Sequence, residues 1–377
     1  MRRIPPFSFD LDDAAVERFS RESAQILRSG VLILGEHTRR FEQAFAEFVG
    51  ARHAIAVNSG STALEVLLRL KRVEGQDVLV PTNTNFATVA AVLRAGGRVR
   101  YLDMEPDTFA PTLAMVRSAV EAPGPGRAKP AGVLWVHIGG VVSPAFPEVV
   151  RFCRGHGVFV VEDAAHAHGS ALGGVRAGSL ADGGAFSFFP TKVMTTGEGG
   201  MIVTNDDDED YLARSHRNQG KRGTDYGGLH HDFGNSSRIT EMGALLGRIQ
   251  LERLPDVLRR RQAVYDGITA ALDRAGVGYV TTRHMDAASQ YKLIVRLPSD
   301  RPLDKVKKAL ADDGVIAGGG VYELPCHRQP VFEGIDPEAT CPGADLWCPR
   351  HVCPPLTTAM TADDARFVGE ALARHLT

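Results

Sequence analysis

Apolar positions along the chain follow two periods. Leu11 to Leu27 mixes apolar and polar residues at helical spacing and stops before Gly30. Gly35 to Val49 repeats that spacing, with Phe41, Ala44, Phe45 and Phe48 on one face and Gly50 as its stop. From Ala54 onward the pattern changes. Short apolar runs open at Ala54, Asp77, Arg98, Gly132, Val158, Gly184 and Met201, each bounded by Gly, Pro, Asn or Asp. β-Branched and aromatic runs of this kind read as short buried strands. Helical stretches separate several of them, among them Pro147 to His156. Strand and helix alternating through residue 204 predict a largely parallel sheet with right-handed crossovers, and ligands collect at the strand ends of such sheets.

Beyond Asn205 the alternation ends. Asp206 to Asp210 is an acidic turn leading into a helix, and Ser215 to Gly228 is a glycine-rich basic loop. Thr240 to Arg261 is a long helical stretch, with Pro255 placed to bend or end it. The remainder offers helices at Tyr265–Ala275, Leu303–Asp313 and Thr361–Leu376, and a strand at Tyr291–Leu297. This predicts an N-terminal helical segment (1–30), a large domain (31–250) and a smaller α+β C-terminal domain (251–377).

Composition narrows the function. The 377 residues are 44% hydrophobic and 23% charged, an ordinary globular balance. A net charge of −2 creates no field that would draw the chain to nucleic acid or an anionic membrane. No apolar run reaches the ~20 residues of a membrane span. The opening MRRIPPFSFDLDD lacks the apolar core of a secretory signal, so a cytoplasmic home is expected. The five cysteines, Cys153, Cys326, Cys341, Cys348 and Cys353, include no C-x-x-C pair and suit free thiols. With His327 and His351 the last three match no common zinc spacing, so no metal is expected.

The candidate chemistry lies between Val161 and Thr204. Asp163 and Lys192 each stand at a strand end beside tight glycine turns. A lysine amine can condense with an aldehyde, and a carboxylate facing a pyridine nitrogen keeps that nitrogen protonated. Standing alone, Asp163 would read as a helix cap and Lys192 as a solvated loop lysine. A second feature is the strand–turn–helix at Ala54-Ile-Ala-Val-Asn-Ser-Gly-Ser-Thr-Ala-Leu. Free amides at its helix N-terminus, together with hydroxyls, form a phosphate cradle, where the ordinary alternative is a serine cap.

These pieces together carry a resemblance. Glu162-Asp-Ala-Ala-His-Ala-His-Gly, Gly178-Ser, Asp182-Gly, Phe186-Ser-Phe-Phe, Lys192 and Thr196-Gly-Glu-Gly-Gly-Met-Ile-Val-Thr resemble, in order and spacing, the signature of the DegT/DnrJ/EryC1/StrS aminotransferases. The likeness runs from about Gly30 to the C-terminus. It implies a fold-type I α/β enzyme using pyridoxal 5'-phosphate (PLP), with pyridoxamine 5'-phosphate as the intermediate form. Lys192 would carry the cofactor and move the proton, and Asp163 would pair with its ring nitrogen. His166 stands where many members have glutamine, near the ring hydroxyl. Ser61, Thr62 and Ser187 would hold the phosphate. The family places an aromatic over the ring; here Asn85 takes the aligned place and Phe86 follows it, so either residue could face the ring. Asn235, with Ser236 as substitute, would reach the phosphate of a partner subunit in a homodimer with shared sites. Arg217, Lys221 or Arg222 would approach a diphosphate or carboxylate of the substrate. His137 is given no chemistry.

The implied reaction is a ping-pong amino transfer from an amino acid, glutamate by family habit, to a keto sugar linked to a nucleotide (an NDP-keto-deoxyhexose). A cyclitol ketone is an alternative acceptor. A sugar dehydratase of this family would carry histidine in place of Lys192, and a nicotinamide oxidoreductase would need a G-x-G-x-x-G turn that the chain lacks. A regulatory homologue that keeps the fold without turnover is a further alternative. The Ala-, Gly- and Arg-rich composition, with the family, suggests antibiotic-sugar biosynthesis.

Overall fold

A computed structural model describes residues 2–124, 126–223 and 228–377. The chain opens with α1 (Asp13–Ser29) and α2 (Glu36–Val49), each closed by a glycine in the left-handed region, Gly30 and Gly50. Then come β1 (His53–Val57), α3 (Gly60–Leu70), β2 (Asp77–Pro81), α4 (Phe86–Arg94), β3 (Arg98–Leu102), α5 (Leu113–Glu121), β4 (Gly132–Val136), α6 (Phe146–Gly155) and β5 (Phe159–Asp163). A small hairpin, β6 (Ala171–Leu172) and β7 (Val175–Arg176), precedes β8 (Gly184–Ser187), β9 (Gly200–Thr204) and α7 (Asp207–Arg217).

Seven of these strands form one sheet in the order β1-β9-β8-β5-β4-β2-β3. Only β9 runs against the rest: it pairs antiparallel with both β1 and β8, while the β5–β8, β4–β5, β2–β4 and β2–β3 pairs are parallel. The two-residue side-chain period divides each strand between two cores. Ile55, Val57, Leu134, Val136 and Ile202 face α3 and α4, whereas Ala54, Ala56, Val133, Trp135, Met201 and Val203 face α2, α5 and α6. Burial on both faces explains why these strands read as continuous apolar runs.

α8 (Glu241–Ala275) is one helix of 35 residues. The separate helices expected at Thr240–Arg261 and Tyr265–Ala275 are therefore continuous, and Pro255 lies inside the helix on its exposed face. Packing overrides the proline: Leu251, Leu254 and Val257 are held in the sheet's core, while Val264, Ile268 and Leu272 belong to the C-terminal one. α1 lies along the first half of α8 through Ala15, Ile26, Leu245 and Ile249.

The C-terminal part comprises β10 (Val295–Arg296), α9 (Leu303–Asp312), α10 (Pro342–Trp347), β11 (His351–Val352) and α11 (Ala362–Leu376). The strand expected over Tyr291–Leu297 is reduced to Val295–Arg296, which pairs with β11. The guanidinium of Arg261 takes the carbonyls of Ser289, Gln290 and Tyr291, and the Lys292 amide donates to Gly139 O, so the start of this segment has partners other than a neighbouring strand. Residues of the 321–348 stretch, among them Val321, Cys326, Phe332 and Cys348, pack into the core on the α3–α4 face of the sheet. This brings the C-terminal part over the strand ends.

Candidate active site

β5 ends in two acids that face opposite ways. Glu162 is fully buried and accepts the amides of Gly178 (2.7 Å), Leu180 (2.7 Å) and Ala181 (2.9 Å), with His137 Nε2 at 2.8 Å. It fixes the connection into β8, and His137 has a structural place beside it. Asp163, one residue on, lines a cavity of about 410 Å³. Its Oδ2 accepts from Thr88 Oγ1 at 2.8 Å and its Oδ1 from the Ala165 amide at 3.1 Å. Burial pushes this carboxyl up, while the Thr88 and Ala165 hydrogen bonds and then the charge of Lys192 oppose that rise.

Lys192 lines the same cavity. The turn that carries it is tied down by Thr195 Oγ1 to Phe188 O (2.8 Å), Thr196 N to Phe188 O (3.0 Å) and Lys192 N to Phe189 O (2.9 Å). Burial lowers its amine to about 8; Asp163 pulls it upward and Lys292 adds to the fall. Its ammonium lies 5.0 Å from the Tyr291 ring centre.

His166 stacks on Tyr291 with ring centres 4.3 Å apart. Its Nδ1 accepts the Gly139 amide at 3.2 Å, which leaves the proton of the neutral ring on Nε2, 3.4 Å from the Tyr322 hydroxyl. Burial, reinforced by Lys192 and Lys292, holds this histidine neutral, well below its ordinary value.

The turn before α3 closes the cavity at its other end. Ser59 caps the helix by accepting the Thr62 amide at 3.1 Å. Ser61 and Ser187 line the cavity. The Thr62 hydroxyl bonds to Asn58 Oδ1 at 2.8 Å and lies 3.0 Å from Ser59 Oγ, within the turn and outside the residues lining the cavity. Two glycines are required by close approach. A Cβ on Gly60 would lie 2.7 Å from Ser187 Cβ, and one on Gly200 would lie 2.3 Å from the Ser59 carbonyl oxygen. The Gly-Gly before Met201 therefore lets β9 press the turn against β8.

The aromatic expectation resolves against Phe86. Asn85 caps α4 by accepting the Ala87 amide at 2.9 Å and lines the cavity, whereas Phe86 is 49% exposed and stacks on Phe332 at 5.4 Å. The N-cap geometry turns consecutive residues to opposite sides. Asn235 and Ser236 do not line the cavity of their own chain; Asn235 Oδ1 accepts the Ser236 amide at 2.7 Å, and the next residues run beside Asn58. The basic loop divides. Arg217 is buried and donates to Glu42 and to the Ala56 carbonyl, so it belongs to the core, and Arg222 pairs with Asp232 at 2.7 Å. Thr224 to Gly227 of that loop lie outside the described residues.

Tyr322 and Thr88 join the site beyond the residues expected from the sequence. Tyr322 reaches the cavity only because 321–348 folds back over the sheet. Thr88 sits one turn inside α4, and its spacing from Asn85 was the one available hint.

The donor set suits the cofactor that the resemblance implies. A buried carboxylate, an amine of lowered basicity, a neutral histidine with a fixed proton and a helix N-terminus with two serine hydroxyls surround one cavity. These match a pyridine nitrogen, an aldehyde, a phenolic oxygen and a phosphate respectively.

Comparison with known proteins agrees. The model of the DegT/DnrJ/EryC1/StrS aminotransferase family matches residues 13–373. The chain is 30% identical over 358 residues to a pleiotropic regulatory protein of Geobacillus stearothermophilus, covering 93% of this chain and 92% of that protein. It is 31% identical over 362 residues to the UDP-N-acetyl-3-dehydro-alpha-D-glucosamine 3-aminotransferase of Acidithiobacillus ferrooxidans, with coverage of 93% and 92%. The solved structure of the aminotransferase TlmJ from Streptoalloteichus hindustanus superposes with a TM-score of 0.88 at 27% identity, covering 99% of each chain.

Proposed function

This chain belongs to the DegT/DnrJ/EryC1/StrS aminotransferase family of PLP-dependent enzymes, and from that premise we propose that it moves an amino group from an amino acid, glutamate, to a keto sugar linked to a nucleotide. The observation that carries the reading is Lys192 and Asp163 facing one cavity that ends in a phosphate cradle. Bound there, PLP supplies an aldehyde for amine exchange and a ring that accepts electron density. Ser61, Ser187 and the first amides of α3 would hold its phosphate. Asp163, whose charged form the Thr88 and Ala165 hydrogen bonds favour against its burial, would stabilise positive charge at the ring nitrogen. His166 would donate from Nε2 to the ring oxygen. Lys192 would carry the cofactor, and its amine near 8 accepts and returns a proton at physiological pH.

The acceptor class rests on relatives such as the UDP-sugar enzyme, and glutamate rests on family habit. The likeness to a regulatory protein favours a second reading without turnover. Against it, a buried carboxylate and a buried amine cost stability unless chemistry requires them. Two chains would share each site, Asn235 or Ser236 of one reaching the phosphate held by the other. Support comes from Val31, Leu32, Ile33, Phe189 and Phe233, apolar side chains left exposed on the single chain. A cytoplasmic setting and a role in antibiotic-sugar synthesis complete the proposal; five free cysteines suit the first. Among the described residues no helix is long and apolar enough to cross a membrane.

The test is a panel of nucleotide-linked 3-keto and 4-keto sugars incubated with the PLP-loaded protein and glutamate, read by mass. A product carrying the mass of an exchanged oxygen for an amine is expected from at least one. No aminated product from any member, with the cofactor bound, would overturn the acceptor class. For the shared site, mixed dimers of Lys192→Ala with an Asn235→Ala/Ser236→Ala chain should recover activity that neither parent has.

A further inference from the structure

A second cavity, of about 230 Å³, shares Lys192 with the first and is otherwise walled by different residues. Residues 6–10 of the N-terminal segment form part of its wall. Two cations face it. Arg261 is held as a rigid fork: Nε and Nη2 donate to the carbonyls of Ser289, Gln290 and Tyr291, and Nη1 has no hydrogen-bond partner among the described residues. Lys292 Nζ has neither a hydrogen bond nor an ion pair among them; it lies 5.7 Å from the Tyr291 ring centre, and a Cβ on Gly318 would stand 3.2 Å from it. The one acid in the described wall, Asp10, is already paired with Arg260 at 2.7 Å.

Two half-buried cations on one cavity wall, without a counter-charge among the described residues, attract an anion. Guanidinium and ammonium together match a carboxylate. The cavity adjoins Lys192, where the donor's amine must arrive. We propose that Lys292 and Nη1 of Arg261 form the carboxylate subsite for the amino-acid donor. This rests on the aminotransferase reading above. Lys292 sets donor affinity, while the groups around Asp163 hold the cofactor.

The experiment separates the two half-reactions of the PLP-loaded protein. Glutarate, an unreactive dicarboxylate, is titrated calorimetrically into wild type, Lys292→Met and Lys292→Arg. Loss of one charge-assisted bond should weaken glutarate by about ten- to a hundredfold in Lys292→Met, and Lys292→Arg should retain most of the affinity. The glutamate concentration for half-maximal amination of the cofactor should rise by the same factor. Isopropylamine, which has no carboxylate, should lose far less in Lys292→Met than glutamate does. If Lys292→Met fails to take up cofactor, Lys292→Gln replaces it. Glutarate and glutamate values within twofold of wild type would overturn the subsite. So would an equal loss with isopropylamine, which would make Lys292 only a modulator of Lys192. A defect confined to the sugar-nucleotide half-reaction would assign the cations to the diphosphate and overturn it as well. If wild type accepts an amino group from no amino acid, the enzymatic reading fails by itself, because the glutarate titration does not depend on turnover.

Discussion

Lys192 offers a quantitative test of the electrostatics. Its amine lies at about 8 against an ordinary 10.5, with burial as the main cause. The difference, 10.5 − 8, is 2.5 units. At ~1.4 kcal/mol per unit this is roughly 3 kcal/mol of preference for the neutral amine. At pH 7 about one amine in ten would be neutral, against about one in three thousand for an ordinary lysine. The sign of the linkage follows from a folded-state value below the unfolded one. Between about 8 and 10.5 the unfolded chain still binds a proton that the folded chain has released, so the cofactor-free protein gains stability as pH rises through that window. Below about 8 both states are protonated and the cost of burying the charge stands in full. Asp163 is the carboxylate that opposes the fall, so Asp163→Asn should move the inflection further down. Lys292→Met, which removes a repelling cation, should move it up. The assay is a brief acylation of cofactor-free protein across pH 6 to 11, with modification of Lys192 read by peptide mass spectrometry. An inflection near 10 in wild type would refute the argument from burial. No shift, or an upward shift, in Asp163→Asn would refute the attraction between the two residues.

Three further outcomes are expected. In Lys192→Ala the visible absorption of the bound cofactor should shift and turnover should cease, and borohydride treatment of wild type should fix the cofactor on the peptide containing Lys192; normal turnover in the variant removes Lys192 from the chemistry. Ser61→Ala and Ser187→Ala should each raise the PLP concentration for half-saturation by about tenfold, from the loss of one bond to a charged group, whereas Thr62→Ala should change it by less than about twofold. Equal effects at Ser61 and Thr62, measured by fluorescence quenching, would show that Thr62 reaches the phosphate after all. Glu162→Gln should lower unfolding free energy in urea by about 2 kcal/mol, because the amide nitrogen cannot accept the backbone amide bound by the oxygen it replaces, Gly178 at Oε2 or Leu180 and Ala181 at Oε1, and the charge is lost; a loss under about 1 kcal/mol would mean that β5 and β8 are joined without it.

The sequence by itself determined the parts whose cause is local and periodic. Alternation of apolar runs and helices specified the sheet, because strands covered on both faces must be apolar throughout, and β1, β2, β3, β4, β5, β8 and β9 lie on the predicted runs. Asp163 and Lys192 stood out through the family resemblance carried by the residues around them, and both line one cavity in the fold. Tertiary structure decided what depends on direction or on distant partners. Asn85 rather than Phe86 enters the cavity because one caps α4 and the other finds Phe332, from a part of the chain far along the sequence. Thr62 turns inward on Asn58, and Arg217 leaves the basic loop for Glu42, since a hydrogen bond close at hand or a buried counter-ion outweighs exposure. α8 continues through Pro255 because two cores grip its halves, and the start of Tyr291 to Leu297 gives up its strand because the Tyr291 carbonyl goes to Arg261 and the Lys292 amide to Gly139. Tyr322, Arg261 and Lys292 carry no local pattern at all; each reaches the neighbourhood of Lys192 only when the C-terminal part folds back over the strand ends.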